Sequence, residues 1–199
     1  RQMCIRDRSE IVSGEYSKGT FRMYLTRPIS RNMVLLSKLI IVMTYTTLMM
    51  LYFVMYTLLV SRLIIGNGDL VVFHEGLLVL DASDTFWRFG LSFWLSNILM
   101  LTVTSLCFMI STFSKNSVTP IIVTISIVFI GTAVAFIPIE IFELLNPYLF
   151  TGYIDLFLTA FHDPIPKHLF IQELIVCGIW SFIFITTSFY YFNRCDILE

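Results

Sequence analysis

The sequence predicts an all-α integral membrane protein: four transmembrane helices preceded by a cytoplasmic amphipathic helix. Three observations lead there. Mean hydropathy is +0.82, and 57% of the residues are hydrophobic against 14% charged, where a soluble domain carries about a quarter charged residues. The apolar residues gather into four charge-free runs, 39–61, 89–114, 116–139 and 174–193, each close to the ~20 residues a helix needs to cross a ~30 Å hydrocarbon core. The runs are also continuous, unlike the short alternating strands of a membrane barrel.

Charge placement sets the orientation. Lys18, Arg22, Arg27, Arg31 and Lys38 precede the first run, Lys115 lies between the second and third, and Arg194 follows the fourth. The other connections hold only Arg62, Arg88 and Lys167, beside many carboxylates. Seven cations against three place both ends in the cytoplasm by the positive-inside rule. An even number of spans requires the same.

Residues 1–8, RQMCIRDR, have the sequence produced by translating a transposase adapter from a sequencing library. They read as an artefact to be set aside, and the native protein is expected to continue upstream. Residues 9–27 read as a helix on the membrane surface, with Val12, Tyr16, Thr20 and Tyr24 at i+4 spacing and Phe21 and Leu25 widening the stripe. Pro28 disfavours helical geometry at Arg27 and ends it, and Ser30 is a suitable N-cap for the next helix. Spans are expected at about 34–60, 89–111, 118–138 and 170–192. Within the 62–88 connection, Asn67-Gly68 marks a turn, and 70–80 is apolar but too short to cross, so it is expected to dip into the interface. The stretch 140–169 mixes Leu and Phe with acidic residues and the belt aromatics Tyr148, Tyr153 and Phe157. Short amphipathic helices with partial re-entry are expected there on the outer face.

Motifs for chemistry are sparse. Gly14 and Gly19 have phosphate-loop spacing, but Thr20 stands where the phosphate-binding lysine is needed. His74, His162 and His168 fall in connections without a metal-ligand pattern, and the cysteines, Cys4, Cys107, Cys177 and Cys195, form no extracellular disulfide framework. Ser96, Asn97, Thr102, Thr104 and Ser105 cluster in the second span, where such groups serve more readily as helix glue than as a conduit. Glu173 abuts the last span and is expected to be a solvated boundary residue, although an ionisable group at a membrane is a functional candidate by default. If a translocation path exists, Asn97, Thr104 and Glu173 are its candidates.

The segment 15–38, EYSKGTFRMYLTRPISRNMVLLSK, resembles the cytoplasmic coupling segment of ABC-2 type transporter permeases. Glu15, Gly19-Thr20, Leu25, Pro28-Ile29-Ser30-Arg31 and Lys38 follow the family order E-x-x-x-G-T, L, P-[VI]-S-R and a lysine at the mouth of the next helix. The tail YYFNRCDIL is similar to the family's aromatic-Phe-basic-Asp-Ile ending. The resemblance implies a partial six-helix permease, represented from its coupling helix (9–27) onward. It implies a non-catalytic transport subunit of the inner (plasma) membrane that binds no cofactor directly. ATP and Mg would be held by a partner ABC ATPase subunit. It also implies pairing as a homodimer or heterodimer, contact with membrane lipid but not nucleic acid, and, by family habit alone, transport in the outward direction. Glu15, Gly19, Thr20, Arg22, Pro28, Ser30 and Arg31 would form the ATPase-coupling set, with Glu15 and Arg22 at the contact, Gly19 permitting close approach and Pro28 stiffening the corner. Two rivals stand beside it: a membrane scaffold or sensor that engages an ATPase without moving a substrate, and an intramembrane enzyme, for which no cluster of reactive groups at one depth is evident.

Overall fold

The computed structural model of the protein describes residues 31–64, 66, 70–73, 77–80, 82–114, 116–137, 145–162 and 165–194. The expected surface helix 9–27, the corner at Pro28, and the turn at Asn67-Gly68 lie outside the described residues.

Four helices, α1 (Arg31–Ile64), α2 (Ala82–Phe113), α3 (Val118–Phe136) and α4 (Lys167–Arg194), are each long and apolar enough to cross a membrane. They fall on the four charge-free runs, as the backbone's need to satisfy its own hydrogen bonds in lipid requires. The first, second and fourth extend past the limits expected from hydropathy. The 34 residues of α1 make a rod of roughly 50 Å at 1.5 Å per residue, so it overshoots the hydrocarbon. The α2–α3 connection is tight, and the Ser114 hydroxyl bonds Asn116 at its main-chain N–H (3.2 Å) and carbonyl (3.0 Å). α3 stops for a local reason: Ile137 is extended, at φ −83° and ψ 118°, because Pro138 follows and disfavours helical geometry before it.

Between α1 and α2 the chain forms a two-stranded antiparallel hairpin, β1 (Leu70–Phe73) with β2 (Leu77–Leu80), in register from Leu70 opposite Leu80 to Phe73 opposite Leu77. It is the only sheet among the described residues, in a stretch too short to cross a membrane. The class is otherwise helical.

α2 is the hub. Half of its apolar stretch is buried, against 11% for α3, and it packs on α1, α3, α4 and the segment 145–162. Near the start of α1, Leu35, Leu39, Phe108 and Phe192 form one cluster. A second cluster joins Leu99 and Leu106 of α2, Cys177 and Phe184 of α4, and Phe150.

Segment 145–162, where short amphipathic helices are expected, is built of short 3-10 helices, Asn146–Tyr148, Phe150–Tyr153 and Leu156–Phe161. It is re-entrant. The Trp180 indole N–H donates to the Tyr148 carbonyl at 2.9 Å, which places Tyr148 beside the middle of α4, about 20 Å from its first residue at 1.5 Å per residue. Phe150 packs edge-on against Trp180 and Phe184. The chain then climbs back to the first turns of α2, where Phe89 meets Phe161.

Candidate functional site

The polar groups inside the bundle lie along α2. Toward α1, Thr104 Oγ1 stands 3.2 Å from Thr46 Oγ1, while each hydroxyl also donates back to its own helix, to Met100 and Val42. Toward α4, Thr102 donates to the carbonyls of Ile98 (3.1 Å) and Cys177 (3.3 Å) and accepts from the Ser181 hydroxyl at 3.1 Å. Lower on the same seam, Ser188 donates to Thr112 at 3.3 Å. Small hydroxyl residues let backbones approach and still find acceptors in their own helix, which is how lipid-embedded helices associate. Thr102 and Thr104 thus stand at the contacts of α2 with α4 and with α1.

The re-entrant segment is tied to three helices at once. Arg88 of α2 donates from one guanidinium nitrogen to the carbonyls of Ala160 (3.3 Å) and His162 (2.8 Å). Asn146 donates to Ala135 near the end of α3 at 3.3 Å, where helix carbonyls lack intrahelical partners. Trp180 supplies the tie to α4. A Cβ on Gly131 of α3 would sit 2.6 Å from Thr151, and one on Gly152 would sit 2.6 Å from the Asn146 carbonyl, so glycine is needed at both positions for this seating. Non-helical backbone at membrane depth is tolerated only where protein covers it. Phe150, Thr151 and Tyr153 are buried, and the tip's carbonyls accept from Leu149, Gly152 and Ile154 N–H groups, the Tyr153 hydroxyl (on Pro147, 2.8 Å) and Trp180.

Glu173 lies under this segment. It is 1% exposed, and its Oε2 meets no hydrogen-bond donor among the described residues. Tyr153 of the segment and Cys177, one turn along α4, are within electrostatic reach of it. The expected solvated boundary residue is therefore buried, because 145–162 folds back over the stretch of α4 that hydropathy leaves at the water boundary. Asn97 is 3% exposed with its Oδ1 likewise unmet. At seven residues before Thr104 it shares that residue's stripe on α2. Of the three path candidates, Thr104 engages α1, Asn97 lies on the same stripe of α2, and Glu173 lies within electrostatic reach of Tyr153 and Cys177. Of the coupling set, Glu15, Gly19, Thr20, Arg22, Pro28 and Ser30 fall outside the described residues, and Arg31 opens α1.

Sequence reasoning passes over Arg88, Asn146 and Trp180 as anchors. By sequence Arg88 is a loop charge. Its place between Trp87 and Phe89 at a span's edge is the available signal, since a cation among aromatics needs nearby acceptors.

A family model described as "ABC-2 family transporter protein" matches residues 8–131, taking in α1, α2 and most of α3. "Uncharacterized protein YhcI" of Bacillus subtilis (strain 168) is 26% identical across 94% of this chain and 61% of its own length, so the chain spans less than two thirds of that relative. No solved structure matches the chain.

Proposed function

The chain belongs to the ABC-2 family of transporter proteins, and from that premise we propose that it is the membrane-spanning permease subunit driven by ATP hydrolysis in a separate ATPase subunit, working in the direction of export. The ATPase holds the nucleotide and Mg, the chain pairs with itself or a second permease, and both ends of 9–199 face the cytoplasm of a cell bounded by the inner (plasma) membrane. The Glu15–Arg31 set is the contact and the corner through which motion enters.

One observation supports this reading above the others: the way α1 is held. Its buried residues, Leu35, Lys38, Leu39, Val42 and Thr46, all lie in its first half, and from residue 47 to 64 none is buried. The half that adjoins the Glu15–Arg31 segment is thus the half gripped by α2 and α4. A displacement entering at Arg31 passes straight into the hub, whereas the far half of α1 is unconstrained by the described residues. A helix pushed at its gripped end moves as a rigid element with its neighbours, since packed interiors transmit strain.

The test is made in the full-length permease with its ATPase. Glu15→Lys and Pro28→Ala should each abolish transport-linked stimulation of the ATPase while leaving membrane insertion and assembly intact. Undiminished stimulation and transport in both variants would remove the coupling role. Retained ATPase contact with no substrate exported under any condition would favour the scaffold or sensor reading.

A further inference from the structure

A carboxyl group inside a membrane bundle needs a partner or a proton. Glu173 is 1% exposed; Tyr153 of the re-entrant tip, itself 7% exposed, and Cys177 of its own helix lie within electrostatic reach of it. Among the described residues, the titratable groups that face it are Tyr153 from the re-entrant segment and Cys177 from α4. Neither supplies positive charge. From α2, Thr102 reaches the turn of α4 that holds Cys177, its hydroxyl directed at the Ile98 and Cys177 carbonyls, and the buried Asn97 leaves its Oδ1 unmet. The cation on α2, Arg88, lies nearer the helix start and is turned to Ala160 and His162. Burial in a low-dielectric site disfavours the charged carboxylate strongly when no opposite charge or donor compensates.

We propose that Glu173 is a proton-binding site: it holds a proton while the re-entrant segment is seated on α2 and α4, and releases it when that segment lifts and water reaches the carboxyl. A proton is the ligand that suits a site in which the carboxyl is packed among side chains, since it occupies no volume. Glu173 in its acid form also turns the unmet Oε2 into a hydroxyl, which removes the cost of an unsolvated anion. Seating and protonation then favour each other by linkage. Any condition that stabilises the seated segment raises proton affinity, and any that lifts it lowers that affinity. The proposal rests on the burial of Glu173 and not on the coupling role of Glu15 or Pro28, so either can fail alone.

Infrared spectroscopy of the full-length permease in lipid vesicles reads the site directly. At neutral pH the wild type should show a protonated-carboxyl C=O band that shifts in D2O, declines as pH is raised, and is missing from Glu173→Gln. Glu173→Gln, shaped like the protonated acid, should insert and fold as the wild type does. The pairing Arg88→Ala with Trp180→Phe loosens two ties of the segment, and the band should then disappear at a pH about one unit lower, a tenfold loss of proton affinity. A wild-type spectrum without any protonated carboxyl at neutral pH overturns the proposal, even if Glu173→Gln fails to fold. A band that survives Glu173→Gln overturns it too. An unchanged titration in the loosened variant overturns the link to the segment.

Discussion

At the scale of single residues, the interior is governed by two close approaches and one set of hydroxyl pairs. Gly131 faces Thr151 so closely that Gly131→Ala forces a clash with a branched side chain, and overpacking of this kind costs about 1–3 kcal/mol. The unfolding midpoint of Gly131→Ala in detergent micelles should fall accordingly, and Thr151→Gly in the same chain should restore part of the loss. Thr46 and Thr104 meet at 3.2 Å, and a double-mutant cycle with valine at both positions should return a coupling of roughly 0.5–1 kcal/mol, the range found for interhelical hydroxyl pairs in lipid. A coupling of zero would mean that the two oxygens merely adjoin while each bonds its own helix. Residue types of this sort are legible in a sequence, but their surroundings are not. Glu173 and Asn97 are visible as polar residues in or beside apolar runs. Only the fold shows that both are buried, because the cover over Glu173 arrives from a segment some twenty residues earlier in the chain.

At the scale of elements, the spans are legible because a single constraint, closed backbone hydrogen bonding over a fixed thickness, determines them. The hairpin is not, although Leu70–Phe73 and Leu77–Leu80 are two β-prone runs around His74-Glu75-Gly76, a three-residue connection containing glycine. The apolar content of 70–80 masks that pattern, since apolar residues on both faces of a strand leave no alternation to see. The re-entrant segment is legible only in outline. Its 3-10 turns depend on anchors from α2, α3 and α4 that are remote in sequence. Losing one anchor should matter locally: Trp180→Phe removes the donor to the Tyr148 carbonyl, at a cost of about 0.5–1.5 kcal/mol for an ordinary hydrogen bond. Amide hydrogen exchange should quicken across 148–153 in that variant while the middle of α2 keeps its protection. Equal quickening in both regions would show that the segment is part of one cooperative unit with the hub.

At the scale of the whole molecule, burial is uneven. α2 is enclosed by its neighbours, whereas α3 and the far half of α1 turn most of their apolar surface outward, with Phe129 at 75% and Ile64 at 78% exposure. Surfaces so extensive exceed what a water-soluble monomer carries, and in a membrane they are where lipid or other protein lies. Phe129→Lys, in the middle of α3, should therefore reduce membrane insertion by about 2.5–3.5 kcal/mol, measurable as the fraction of chains with α3 across the bilayer. A negligible effect would place Phe129 in a protein contact or a wet cleft. The hydrogen-bonded tip of the re-entrant segment bears on bioenergetics as well. A cell that stores energy as an ion gradient is drained by any wet thread through its membrane. Here the carbonyls of Asn146, Pro147, Tyr148, Leu149 and Thr151 are closed by hydrogen bonds from the protein itself, which leaves such a thread fewer footholds where the fold is least regular.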